Sequence, residues 1–400
     1  MLAAACRCPT PTDGFVRADG PNLITPAGEQ LHIKGTNLGN WLNPEGYMFG
    51  FRQANSARFI NEMFCQLVGP DYTATFWRAF KDAYITHDDI RFIRQTGCNT
   101  IRLPFHYKLF TDEDYMGLTA AQDGFTRIDS LVEWCRAERL YLILDMHDAP
   151  GGQTGDNIDD SYGYPWLFES RDSQQRYCEI WQRIADRYKN EPVILGYELL
   201  NEPIAPYFGD TVQRLNDRLA DIYRQGIDAI RQVDTNHLIL LGGAQWNSNF
   251  HPLAHSPCDD RIMYTCHRYG GEPTPDAIRH FIQFRDSLNR PMYMGEIGHN
   301  RPEWMTAFCR TMNENNIGWT FWPYKKLHSS SFVAITPPAN WDAIIAFAEA
   351  PRATYKEIRD ARPDQTVARQ AMAGFIDACR FQNNVVQTEY IRALELDIEK

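Results

Sequence analysis

No run of apolar residues in the 400-residue chain approaches the roughly 20 that a membrane-spanning helix needs, so no transmembrane segment is expected. Basic residues are the minority, 40 Lys and Arg against 51 Asp and Glu. The formal charge of -11 argues against nucleic acid or an anionic membrane as the main partner. The acidic excess is spread along the chain, as a solvated surface requires. Ten cysteines include no CxxC pair, Cys6-Arg7-Cys8 is too tight for one, and neither a zinc ligand set nor a disulfide framework is visible. Cys135 and Cys309 fall on apolar helix faces and read as free buried thiols. Residues 1–6 carry the small side chains that end a lipoprotein signal, without the charged and apolar regions that precede such an ending. No feature of the sequence bears on oligomeric state.

Aromatic side chains, by contrast, are plentiful. They make up 13% of the chain, with ten Trp and nineteen Tyr, and suit either a large core or a cleft that stacks on sugar rings. Residues 1–30 form a lead-in, irregular from residue 9 on, where Pro, Gly and Asp are frequent. Strand patterns then fall at 31–37, 99–104, 141–147, 193–200, 237–242, 261–267, 291–296 and 318–322. Helical patterns alternate with them at 86–95, 127–139, 174–188, 211–233, 275–288, 302–313 and 341–350, and a fifth-strand helix is poorly signalled within 244–261. The alternation predicts an α/β fold, a single (β/α)8 TIM barrel over 31–350 with a helical C-terminal extension, 351–400, packed on it. Two long aromatic segments, 38–85 and 148–170, are expected as insertions over one barrel mouth.

The residues closing these strands are Arg102, His147, Asn201, Glu202, His267, Tyr269, Glu296 and Trp322. A barrel would bring them together at its C-terminal face, where such enzymes place their sites. Two carboxylates there suggest glycosidic bond cleavage, one protonating the leaving oxygen while the other attacks the anomeric carbon or positions water. The sequence holds its own control, because Asn190-Glu191-Pro192 repeats the tripeptide Asn201-Glu202-Pro203 at the opposite end of the strand. Glu191 is therefore given no role. Either glutamate alone would read as a helix cap or ion-pair member, and His147 beside Asp145 and Asp148 as an incomplete ligand set, so the argument rests on the ordered set. His251, His255, His299 and His328 read as ordinary surface or loop histidines. Strand 1 offers Gly35-Thr36-Asn37 where a metal-dependent barrel hydrolase carries His-x-His, and neither metal nor cofactor is expected.

Six motifs in order carry a family resemblance: Ile101-Arg102-Leu103-Pro104, His147-Asp148-Ala149-Pro150-Gly151-Gly152-Gln153, Leu200-Asn201-Glu202-Pro203, His267-Arg268-Tyr269, Met294-Gly295-Glu296-Ile297-Gly298 and Gly318-Trp319-Thr320-Phe321-Trp322. Over roughly residues 30–350 the chain resembles glycoside hydrolase family 5, whose members are retaining barrels of about this extent. The resemblance implies Glu202 as general acid/base and Glu296 as nucleophile, acting on an oligo- or polysaccharide. It also implies that Arg102 favours ionised Glu296, Tyr269 hydrogen-bonds it, and Asn201 meets the sugar 2-hydroxyl. His147 and His267 would contact sugar or carboxylate, and Trp322 would floor the subsite of the attacked ring. The 148–170 loop is similar to the His-x-Ala-Pro-Gly-x-Gln loop of exo-β-1,3-glucanases, so a restricted, exo-acting site for β-glucan or a related β-glycoside is expected. Trp322-Pro323-Tyr324-Lys325-Lys326 departs from that pattern, in which a second Trp precedes Lys. That leaves mannan, xyloglucan and arabinofuranosides open as alternatives. The competing class is a carbohydrate-binding barrel without catalysis, which needs the aromatics but not two facing acids. A secreted, periplasmic or lipid-anchored address suits a polysaccharide hydrolase better than a cytoplasmic one.

Overall fold

A computed structural model describes residues 14–255, 259–328 and 330–398, so the Cys6-Arg7-Cys8 stretch and residues 1–6 lie outside the described residues. Eight parallel strands close into a barrel: β1 (Lys34–Asn37), β2 (Thr100–His106), β3 (Tyr141–Asp148), β4 (Ile194–Glu198), β5 (Leu238–Gly242), β6 (Ile262–His267), β7 (Met292–Gly298) and β8 (Gly318–Trp322). Each pairs with its neighbour in sequence, and β8 closes on β1. Residues of β2, β4, β5 and β6 are buried without exception, which is why these strands read as continuous apolar runs rather than alternating ones.

Helices pack around the barrel: α1 (Ala57–Val68), α2 (Pro70–Tyr84), α3 (His87–Gln95), α4 (Ala121–Glu138), α5 (Arg171–Tyr188), α6 (Thr211–Arg231), α7 (Pro275–Leu288), α8 (Pro302–Glu314) and α9 (Trp341–Glu349). The start of α3 follows its sequence signal, with Thr86 and Asp89 forming a reciprocal capping box and Gly97 leaving the helix at φ 88°. After β5, Ala244–Asn247 makes a single turn in place of a full helix, and Gln245, Trp246 and Asn247 all have positive φ.

Two expectations need correction. The lead-in is not irregular throughout: Arg17–Asp19, Asn22–Ile24 and Gln30–Leu31 form an antiparallel sheet. Its Leu23, with Val16 just before it, joins Ile33, Leu195, Leu238 and Met263 near the strand starts, closing the barrel end opposite the site. The strands are too short to show the alternation that a sequence pattern relies on. Secondly, the aromatics of 38–85 are mostly core. Phe49, Phe51, Phe64, Phe76 and Trp77 pack edge-on and stacked against one another and are buried. Only Tyr47 reaches the site, carried by a short turn at Gly46, where an added Cβ would lie 2.2 Å from the Ala54 carbonyl. The C-terminal extension consists of α10 (Tyr355–Ala361), α11 (Gln365–Ala378) and α12 (Thr388–Ala393). Phe375 of α11 stacks on Trp341 at 4.2 Å and lies 5.3 Å from Phe49, inside that same aromatic cluster.

Cys135 and Cys309 are free and buried, as their helix faces predict. No helix of the described residues is long and apolar enough to cross a membrane.

Candidate active site

The C-terminal mouth of the barrel is organised on Arg102 of β2, which is fully buried. Its guanidinium spends every donor. Nε and Nη2 form a bidentate pair with Glu198 at 3.0 and 2.7 Å. Nη1 donates to Asn37 Oδ1 at 3.0 Å and Glu296 Oε1 at 2.7 Å, while Nη2 also reaches Asn201 Oδ1 at 2.8 Å. Asp145 lies 3.0 Å from the same Nη2. Tyr293 Oη completes Glu198 with a hydrogen bond at 2.6 Å. One cation thus positions the ends of β1, β3, β4 and β7 together. Glu296 is one of three carboxylates that it holds, and Glu198 the one it grips in a fork.

Glu296 sits where β7 breaks register against both neighbours, just past Gly295. A Cβ on Gly295 would fall 2.4 Å from Thr265 Oγ1, so only glycine lets the strand swing there. Its carbonyl accepts from Asn37 Nδ2 at 3.1 Å and from the Thr320 hydroxyl, which fixes the bulge. Besides Arg102, Glu296 accepts a hydrogen bond from Tyr269 Oη on its second oxygen.

Glu202 lies beyond the end of β4 in a turn and has φ 44°, a left-handed conformation that costs a non-glycine residue about 1–2 kcal/mol. The turn is braced from the loop after β3. Gln153 Nε2 donates to the carbonyls of His147 and Asn201 at 2.7 and 2.8 Å, and Thr154 Oγ1 to that of Glu202 at 2.8 Å. The Glu202 carboxylate accepts from His267 Nδ1 at 2.8 Å. Burial pushes Glu202 from 4.5 up to about 7, with the Glu198 charge adding to the rise and Arg102 opposing it. It is therefore largely protonated just below neutral pH. Oxygens of Glu202 and Glu296 and the His267 ring nitrogen all lie within 4.8 Å of one another.

Both histidines are neutral, held down to about 4 by burial. Arg102 only donates, so the Asn201 oxygen must face it and the Asn201 amide N–H must face His147 Nε2, at 3.3 Å. His147 consequently carries its proton on Nδ1 and gives it to Asp145 at 2.8 Å. Asn247 Nδ2 meets His267 Nε2 at 3.1 Å and leaves Nδ1–H for Glu202. Trp322 stacks on His147 with rings 5° from parallel and 5.3 Å apart, and donates Nε1–H to Tyr47 Oη at 2.7 Å. Only 4% of it remains exposed.

All eight residues picked from the strand ends therefore share this mouth. Several of their neighbours gave weaker signals. Glu198 and Asp145 are charges inside runs that otherwise read as apolar core, and Asp145 shares a strand face with His147 by the two-residue period. Asn37 closes β1. Asn247 and Gln153 act from loops, where periodicity says nothing. Glu45 is buried next to the pair, its Oε1 without a hydrogen-bond partner. His299, expected to be an ordinary loop histidine, stacks on Tyr269 at 5.4 Å and meets the edge of Tyr47 at 5.3 Å.

Comparison with known proteins gives the family of the chain. The family model described as Cellulase (glycosyl hydrolase family 5) matches residues 62–327, more than half of the chain. The chain belongs to glycosyl hydrolase family 5. It is a glycoside hydrolase, and a carbohydrate is its substrate. A β-xylosidase of Phanerodontia chrysosporium is 25% identical over 358 residues, covering 80% of this chain and 73% of its own length. Endoglucanase C of Acetivibrio thermocellus is 27% identical, over 62% of this chain and 85% of its own. Among solved structures, an endogalactoceramidase superposes with a TM-score of 0.60 at 19% identity, over 91% of this chain and 85% of its own, a likeness of fold. In this family 5 chain the matched region runs from α1 past β8 and so includes every residue of the mouth named above except Asn37, Glu45 and Tyr47.

Proposed function

We propose that this family 5 enzyme is a retaining, exo-acting β-glycosidase in which Glu202 is the general acid/base and Glu296 the nucleophile. The observation that carries the reading is the unequal partnering of two carboxylates whose oxygens approach within 4.8 Å. Glu296 accepts from a guanidinium N–H and a phenol O–H, which hold its carboxylate in place. Glu202 is held near pH 7 as an acid. Retaining enzymes keep their carboxyl groups about 5–5.5 Å apart and inverting ones about 6.5–9.5 Å, and the short approach supports the former.

In the first step a Glu296 oxygen attacks the anomeric carbon. The bond to the leaving oxygen breaks, and that oxygen takes the Glu202 proton. In the second step water attacks the same carbon, its proton passes to the Glu202 carboxylate, and Glu296 departs with the electron pair of the ester. His267, neutral throughout, keeps Glu202 aimed in both protonation states. One N–H of the Asn201 amide is committed to His147, which leaves the other for the sugar 2-hydroxyl. Trp322 presents its remaining edge as part of the floor.

Exo action draws support from Glu45, a buried carboxyl that feels the charges of both Glu296 and Glu202. Its orphan Oε1 lacks a donor that a sugar hydroxyl would supply, and a pocket closed by such a group suits a chain terminus. The β-xylosidase relative, with its coverage of this chain, adds β-xylosides to β-glucosides as substrates to try. A panel of aryl β-glycosides and β-glucans, followed by NMR of the first-formed anomer, tests the reading. It expects β-product first and release of single sugars; α-product first, or random internal cuts in long glucan, would overturn it. A secreted, periplasmic or lipid-anchored address fits such a hydrolase, and cell fractionation tests that.

A further inference from the structure

A cavity of about 350 Å³ opens on the Glu202 side of the mouth, lined by Glu202, Trp246, Ser248, His267, Arg268 and Tyr269 among others. Glu296 does not line it. On the reading above, the attacked sugar sits over Glu296 and the departing oxygen lies at Glu202, so this cavity is where the leaving group is housed.

Two of its side chains are otherwise unexplained. Trp246 is 38% exposed, and Tyr207, 54% exposed, meets its edge at 6.0 Å. The loop that presents Trp246 holds three successive residues, Gln245, Trp246 and Asn247, at φ 49°, 59° and 58°. Such a run is costly, and it persists because its flanks are tied down. Gln245 exchanges hydrogen bonds with Asn216 of α6 and accepts from Asn249, while Asn247 is fixed to His267. The Trp246 indole is thus a rigid apolar face turned to the cavity. The second unexplained residue is Arg268. Its backbone N–H is bound to the Glu296 carbonyl at 3.2 Å. Its guanidinium has no hydrogen bond or ion pair among the described residues, and its Nε is buried without a partner. Gly271 leaves room for it, since a Cβ there would lie 2.4 Å from Nη2. A half-buried guanidinium with no ion pair among the described residues, in an acidic chain, is open to an incoming anion, with a fork geometry that fits a carboxylate.

We propose that this cavity is a leaving-group subsite for a ring that stacks on Trp246 and carries an acidic substituent, a carboxylate, bound by Arg268. The proposal rests on Glu202 as the acid and adds the chemical class of the aglycone. Nothing in it concerns the sugar on the Glu296 side.

The test compares 4-nitrophenyl and 3-carboxy-4-nitrophenyl β-glycosides of one sugar, with wild type, Arg268→Gln, Arg268→Lys and Trp246→Ala. The ratio of kcat/KM values between the two substrates is read across enzymes, so intrinsic leaving-group reactivity cancels. The proposal expects Arg268→Gln to lower the carboxylate preference about tenfold or more, mainly through KM, the size of one charge-assisted hydrogen bond. Arg268→Lys should keep part of the preference, and Trp246→Ala should raise KM for both substrates. Added salt should erode the wild-type preference. A ratio unchanged in Arg268→Gln, or a wild type that disfavours the carboxylate, overturns the proposal. Calorimetric binding of the same two glycosides to the Glu296→Gln variant decides it without catalysis. If wild type cleaves neither compound, that sugar is excluded as its substrate, while preferential, Arg268-dependent binding of the carboxylate in that titration would still uphold the anion site and equal binding would refute it.

Discussion

Replacing Glu198 by Gln puts the weight of the site on its least conspicuous member. Arg102 can only donate, and Glu198 accepts two of its N–H groups as well as the Tyr293 hydroxyl. A glutamine offers one acceptor oxygen and one NH2. With the oxygen turned to Nε and Tyr293, the amide group must face Nη2, donor against donor, in a place closed to water. Breaking a buried pair by removing one charge costs about 3–5 kcal/mol. For 400 residues the unfolding entropy is about 0.8 kcal/mol/K, so the midpoint should fall by about 4–6 °C. Arg102 also aims Glu296 and Asn201, so kcat/KM should drop at least about tenfold through kcat, as expected of a lost transition-state contact. The control is Glu191→Gln. Glu191 ends an ion pair with the half-exposed Arg136 at the far side of the barrel, where the cost should stay within about 1 kcal/mol. Thermal melts and steady-state kinetics on both variants read this out. A Glu198→Gln protein that melts within a degree of wild type, with normal kcat, would refute Arg102 as the organiser of the site.

Four further outcomes follow from individual contacts. Activity on unactivated aryl glycosides should decline as pH rises through about 7, because Glu202 must carry a proton and its usual value of 4.5 is raised by burial. The same shift favours the protonated fold: its stabilising contribution is full below 4.5 and lost as pH climbs through 7. Glu202→Gln should therefore gain stability relative to wild type at pH 8 over pH 5, by up to about 3 kcal/mol in denaturant titrations; an equal difference at both pH values would count against the shift. Tyr269→Phe removes one of the two donors to Glu296 and should lower kcat about tenfold to a thousandfold, with intact melting; unaltered kcat would remove Tyr269 from the mechanism. Phe375→Ala should cost about 3–5 kcal/mol in urea unfolding, since the ring is buried between Trp341 and Phe49; a loss under 1 kcal/mol would make α11 a loose appendage.

Strand ends were the most legible part of the chain because a barrel converts one-dimensional position into one shared mouth. His147, Asn201, Glu202, His267, Tyr269 and Trp322 lie at a strand's last residues or follow one closely, Arg102 and Glu296 reach the same mouth from within β2 and β7, and the fold gathers them whatever the loops do. The contrast between Glu191 and Glu202 shows that position, and not the tripeptide, carried the information. What stayed hidden depends on pairing across the sheet. Glu198 sits four residues before Glu202 in an apolar run; its register pairs it with Asp145, and only its side-chain contact with Arg102 two strands away reveals its purpose. The bulge at Gly295 is a register shift, invisible to periodicity. The 38–85 aromatics misled because composition cannot separate a ring that stacks on sugar from one that stacks on another ring. Short strands between 17 and 31 escaped because two or three residues are too few to alternate.

Trapping the glycosyl-enzyme tests the two-carboxylate account most directly. A 2-deoxy-2-fluoro aryl β-glycoside with a good leaving group slows the second step more than the first, so the ester accumulates. Peptide mapping by mass spectrometry should then find one sugar on the peptide that contains Glu296, and none on a Glu296→Gln protein. A sugar attached at Glu202, or turnover with an inverted anomer and no covalent adduct, would contradict the assignment.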